Sequence, residues 1–324
     1  MGSVLINTLR SAGSGFGRAG LCLALWLLCL PVISAHGERF SIKQYGVPDG
    51  LGSSFIQNIF QDSQGFLWVC TRDGLSRFDG SKFTTYKTAD GLPNPTINSI
   101  LENADGTFWV ATNGGGVCKF DPAGKRRSAR GEKSGALFAT YQIGHTEKSN
   151  RVNIVYRNAS GVIYVGTDEG LFRLEQTPEG ERFQSVAIRH ADTATLLQPG
   201  IRDILQDGHG DLWLAAPGSA LYRIAADGRT RRYTTADHPA FRLVQSLLQD
   251  QEGMIWMGSS TGVCRLATHP GSDQLGIRFY TKKDGLIDDW VDQVIQTRDG
   301  HLWFGTRGGI TEFDGSSFVN ARIN

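Results

Sequence analysis

From residue 56 onward, short apolar runs alternate with Asp- and Gly-rich turns in an order that repeats. The first unit reads as an apolar run at 56–61, a tight turn at 62–65, a second run at 66–71, a turn at 72–74, a third run at 75–78, an Asp79-Gly80 turn and a short run at 83–86. Runs of this length bounded by Asp/Gly turns predict strands, and four joined in this way predict an antiparallel meander. The second run is apolar on successive residues, as in Phe66-Leu-Trp-Val69 and Met254-Ile-Trp-Met257. That is the pattern of a strand covered on both faces, so each meander is expected to pack between two others.

Six segments align without gaps on a Gly-x-x-aromatic core, with Trp68, Trp109, Tyr164, Trp213, Trp256 and Trp303 as the aromatics. Their spacings of 41, 55, 49, 43 and 47 residues suit the blades of a β-propeller. A large aromatic at this position fills the wedge between neighbouring blades, so packing is the expected role of all six, ahead of a sugar-stacking platform. The expected fold is all-β: a β-propeller of four-stranded antiparallel blades with repeat cores near 56–80, 97–121, 152–174, 201–224, 244–266 and 291–315. Arg39-Phe-Ser-Ile-Lys-Gln-Tyr45 has the signature of an outer strand, and Ser317-Phe-Val319 begins another after the sixth repeat. A spare outer strand at each end predicts that the six repeats are part of a seven-bladed ring whose seventh blade lacks its first three strands.

The sequence Asp90-Gly-Leu-Pro, followed by Ile97-Asn-Ser-Ile100, Asp105-Gly-Thr-Phe-Trp-Val-Ala-Thr112 and Gly116-Val-Cys-Lys-Phe-Asp121, resembles the two-component regulator propeller repeat. The match recurs in Asp49-Gly-Leu51 with residues 62–80 and in Asp284-Gly-Leu286 with residues 299–315. Tyr164 replaces Trp in the third copy, and Ala216-Pro-Gly218 replaces the Thr-x-x-Gly turn in the fourth, which puts two local turn geometries in question. The resemblance implies an extracytoplasmic sensor region of hybrid histidine kinases and diguanylate cyclases. Its implied partners are a small-molecule ligand and a membrane-bound kinase or cyclase output. A second long apolar segment, a kinase His motif and a GGDEF-type sequence do not occur in these 324 residues, so the expected role is a sensing module without an output domain of its own, or a stand-alone periplasmic binding protein.

The N-terminus changes the picture of location. Arg10 and Arg18 precede an apolar run, residues 21–33, that ends near Ser34-Ala35. A basic start, a run too short to span a bilayer and a small residue at the cut read as a signal peptide over residues 1–35, leaving a propeller domain over 36–324. Lys and Arg total 33 against 32 Asp and Glu, which removes the basic excess that nucleic-acid binding needs. Cys70, Cys118 and Cys264 lie in apolar runs with no metal-ligand spacing, so buried thiols are expected, without a cofactor, a metal or a disulfide framework. The basic run Lys125-Arg-Arg-Ser-Ala-Arg130 with Lys133 reads as a solvated loop on the face opposite the ligand site.

One polar residue follows the first apolar position of each inner strand: Gln57, Asn98, Asn153, Arg202, Gln245 and Asp292. Inner strands line a propeller's channel, so these six are expected at its mouth. Arg72, Asn113, Asp168 and Arg307, from the second-to-third-strand turns, are expected on the same face. Amides, guanidiniums and carboxylates in a ring suit a hydroxyl-rich or carboxylate ligand, an oligosaccharide among them. They equally suit a hydrated channel with no ligand. An enzymatic alternative rests on His145, His190 and His238 with Glu147, Asp192 and Asp237 in loops of that face, and on loose similarity to streptogramin lyases. No spacing fixes these as a metal site or an acid–base pair, and no catalytic residue is assigned.

Overall fold

The computed structural model describes residues 44–122, 137–189, 196–197, 199–216, 218, 220–269 and 272–321. The expected signal peptide at 1–35, most of the strand expected at 39–45, the 125–133 basic run, His190 and Asp192 lie outside these. Residues 45–324 form the compact unit that carries the repeats. Among the described residues, six four-stranded antiparallel sheets follow one another, each in simple meander order, and a further two-stranded sheet pairs 188–189 with 196–197. The architecture is a six-bladed β-propeller. Blades 1 to 6 span residues 56–86, 97–141, 152–186, 203–233, 244–280 and 291–321.

The turn between inner and second strand shows why the repeat holds an Asp, a Gly and a Trp. Asp62 Oδ1 accepts the backbone N–H of Gln64 at 3.0 Å and of Phe66 at 2.9 Å, while Oδ2 accepts Trp68 Nε1–H at 2.8 Å. Asp207 with Trp213 and Asp250 with Trp256 repeat the arrangement at 2.8 and 2.6 Å. Gly65 stands at φ 91°, a left-handed conformation open to glycine at little cost. One carboxylate thus satisfies turn amides and the buried indole together. Trp68, Trp109, Trp213 and Trp256 are buried, whereas Tyr164 and Trp303 are half-buried.

Five apolar clusters fill five successive blade junctions. In each, the aromatic and the start of the third strand of one blade meet the inner, second and third strands of the next. Blades 1 and 2 illustrate this, with Trp68, Cys70 and Leu75 against Ile97, Ile100, Phe108 and Phe120. The departures in blades 3 and 4 leave the sheets intact, since Tyr164 pairs with Tyr156 and Arg173 and Ala216 still pairs with Ala220.

Candidate functional site

Gln57, Asn98, Asn153, Arg202, Gln245 and Asp292 all line one cavity of 360 Å³, together with Ile56, Asn58, Ile154, Asp203 and Gln293. The inner strands explain this convergence. In five blades the pairing of inner with second strand skips one residue, and the skipped residue is Gln57, Asn98, Asn153, Gln245 or Asp292. A bulge leaves its extra residue unpaired and re-aims the side chain. In blade 4 the strand pairing begins at Asp203, and Arg202 precedes it with its own N–H on the Ala215 carbonyl at 2.7 Å.

The six are not equivalent. Asn98 Nδ2 donates to the Val152 carbonyl at 2.8 Å, tying blade 2 to blade 3. Asn153 Nδ2 donates to the Ile201 carbonyl at 3.1 Å and to Asp168 Oδ1 at 3.0 Å. Asp292 Oδ1 accepts Trp290 Nε1–H at 2.8 Å. These three are therefore engaged with the protein. Gln57, Arg202 and Gln245 present polar groups to the cavity.

Arg72, Asn113, Asp168 and Arg307 do not line the cavity but are tied to the loops that enter the inner strands. The Arg72 guanidinium lies 4.7 Å from the Phe55 ring centre, and that of Arg307 lies 3.6 Å from the Trp290 ring. Phe55 and Trp290 each stand directly before an inner strand, and Asn113 bridges to Arg151 at the same repeat position. Asp168 also faces Arg151, at 3.9 Å. Phe55 and Trp290 escaped the sequence reading, because the same repeat position holds Thr96, Arg151, Gly200 and Leu243 in the other blades and so carries no repeated aromatic signal.

Asp203, Asn58 and Gln293 were also missed. They belong to the column two residues past the first apolar position, which holds Asn58, Ser99, Ile154, Asp203, Ser246 and Gln293 and is polar in five of six blades. Burial in the cavity wall pushes the Asp203 carboxyl up to about 6, with the Leu247 and Ile204 amides and the Arg202 charge pulling the other way.

His145 is exposed, and His238 caps a short turn by accepting the Ala240 N–H on Nδ1 at 3.2 Å. Among the described residues, no three His, Cys, Asp or Glu side chains converge as a metal site would require. No helix among them is long and apolar enough to cross a membrane.

The family model for the two component regulator propeller matches residues 50–73, 91–114 and 285–308. A histidine kinase from Formosa agariphila is 44% identical over 55 residues, which is 17% of this chain and 4% of that protein. The extracellular domain of a protein described as a hybrid two component system, from B. thetaiotaomicron, superposes with a TM-score of 0.69 at 20% identity, over 87% of this chain and 36% of that one. Virginiamycin B lyase from Staphylococcus aureus superposes with a TM-score of 0.58 at 12% identity, over 83% of this chain and 85% of the lyase. The chain thus spans a small part of the signalling proteins it resembles, and these structural likenesses speak to the fold. Three repeats of this chain, in its first, second and sixth blades, are thus similar to the two component regulator propeller model.

Proposed function

We propose that the chain is an extracytoplasmic sensor propeller that binds a small polar molecule in its central cavity and informs a membrane-bound histidine kinase or cyclase. One observation carries the reading: six polar side chains, one per blade and five of them at bulges, line one cavity of 360 Å³. Arg202 is the chief recognition group, because a guanidinium makes two directed hydrogen bonds to a carboxylate or to vicinal hydroxyls. Gln57 and Gln245 supply donors and acceptors beside it. Hydroxyl-rich molecules, oligosaccharides among them, and organic acids fit this set. The kinase partner is suggested by the 55-residue likeness to a histidine kinase.

The test is a thermal-shift screen of sugars, amino acids and organic acids. A ligand at a hundredfold excess over its Kd stabilises the fold by about 2.7 kcal/mol. The shift should vanish in Arg202→Ala while the unliganded melting temperature barely changes. A shift that survives in Arg202→Ala, Gln57→Ala and Gln245→Ala alike would place the site elsewhere.

A further inference from the structure

The cavity holds opposite charges that the protein leaves apart. Of its lining residues Arg202 is a cation, Asp203 and Asp292 are carboxylates, and the other polar ones are all amides. Among the described residues, no ion pair within 4.0 Å joins Arg202 to either carboxylate. Both carboxylates also keep acceptor capacity. Asp203 Oδ1 accepts the Ile204 N–H and Oδ2 the Leu247 N–H, each at 2.8 Å, which leaves one lone pair on each oxygen. Asp292 uses Oδ1 for the Trp290 indole and has Oδ2 to spare.

Counting charge separates the ligand classes. With both carboxylates ionised, the wall carries one negative charge more than positive. An organic acid can reach Arg202 only by facing Asp203 on the next residue, and like charges brought together in a site are unfavourable. A neutral sugar strips water from Arg202 and returns no countercharge, which is costly for a cation. A molecule that carries both a carboxylate and an ammonium answers both groups. Size agrees: 360 Å³ lies near the lower end of the range of about 300–1,000 Å³ for small-molecule sites, which favours an amino acid over an oligosaccharide.

We infer that the cavity selects a free α-amino acid, with its carboxylate on the Arg202 guanidinium, its ammonium on the Asp203 carboxylate, and Gln57 and Gln245 facing its side chain. This narrows the sensor reading given above and rests on it. Consecutive Cα atoms lie about 3.8 Å apart, so Arg202 and Asp203 present their charges as close neighbours, which suits an α-amino acid better than the two distant termini of a peptide.

Binding through Asp203 is pH-dependent. The titratable groups around it are Arg202 beside it, Tyr156 on the inner strand of blade 3 and Asp292 on that of blade 6; the inner strand of blade 5 and the second strand of blade 4 present none. Burial holds the Asp203 proton up to about pH 6, and that proton must leave before an ammonium can take its place.

Calorimetric titration of the full chain tests this with glycine, L-serine and L-glutamine, and with N-acetyl-L-glutamine, L-glutaminamide, glucose and succinate as comparisons. The free amino acids should bind, and removing either charge from glutamine should weaken binding about tenfold or more. Because only the ionised fraction of Asp203 is competent, Kd should be about tenfold weaker at pH 5 than at pH 7.5. Arg202→Ala should abolish binding. Asp203→Asn, which keeps an amide oxygen as acceptor, should erase both the pH dependence and the preference for glutamine over its N-acetyl form. Amino acid binding that tightens as pH falls, or that is matched by the N-acetyl form, overturns the inference. Arg202-dependent binding of glucose or succinate with the amino acids silent also overturns it, while the sensor reading stands. That reading itself fails only if the whole thermal-shift panel is silent or independent of Arg202, Gln57 and Gln245.

Discussion

The carboxylate of Asp203 accepts the backbone N–H of Leu247 at 2.8 Å, so one side chain ties the inner strand of blade 4 to that of blade 5. Ser99 and Ser246 make the same cross-blade bond, to Val155 N–H at 3.4 Å and Val294 N–H at 3.2 Å. Blade 3 has Ile154 at this position and offers no acceptor, and the Ile204 N–H that it would serve is taken by Asp203 itself at 2.8 Å. Asp203 therefore ties blade 4 to blade 5 and satisfies, within its own blade, the amide that blade 3 leaves without an acceptor.

That arrangement has a pH signature. The folded-state pKa of Asp203 is raised from 3.8 to about 6, so the folded protein holds this proton more tightly than the unfolded chain. The stability it contributes, up to about 3 kcal/mol, is complete below about pH 4 and is lost as pH rises through 6. Asp203→Asn does not titrate. The stability of the native protein relative to this variant should fall between pH 4.5 and 7, measured by denaturant melts; a difference that grows with pH contradicts the assignment.

Trp109→Ala should cost about 3–5 kcal/mol, because its ring fills the second junction and collapse there is hindered by Tyr141 and Phe183 at 5.1 and 5.9 Å. Trp303→Ala should cost clearly less, since that indole is half-buried. Equal losses in urea titrations would mean that the sixth aromatic is as well packed as the second.

Within the polar ring, stability and recognition should separate. Asn98→Ala leaves the Val152 carbonyl without its partner and should cost about 1–2 kcal/mol. Gln57→Ala, with no such bond to lose, should stay within about 0.5 kcal/mol of the parent. Melting temperatures of the two variants, read side by side, decide this.

Arg223 and Asp211 form a buried pair, 5% and 7% exposed at the side chain, in which Nε and Nη2 reach one carboxylate oxygen at 2.6 and 2.5 Å. Arg223 also donates to the Ser272 carbonyl at 2.6 Å and so anchors a loop of blade 5 to blade 4. Asp211→Ala should cost about 3–5 kcal/mol by stranding a buried cation, whereas replacing both residues with apolar ones of similar size should cost much less. Chemical denaturation of the single and double variants supplies the comparison.

What the sequence determined alone was local and repetitive. The Asp-x-x-Gly-x-x-Trp unit contains every atom of its own turn, from the Asp62 carboxylate to the Trp68 indole, so its geometry travels with the sequence wherever the unit occurs. The same short-range logic put Gln57, Asn98, Asn153, Arg202, Gln245 and Asp292 at equivalent positions in six inner strands, and equivalence around a ring is enough to make them face one axis. Tertiary structure alone decided which of these remain available. Asn98 and Asn153 are engaged because carbonyls more than 45 residues away, at Val152 and Ile201, come within hydrogen-bond reach, and no local pattern encodes that approach. It likewise decided that Ile56 and Ile59, apolar like their counterparts, stay exposed. A residue's burial depends on whether a neighbouring blade is there to cover it, and that is a property of the assembled ring, not of the strand.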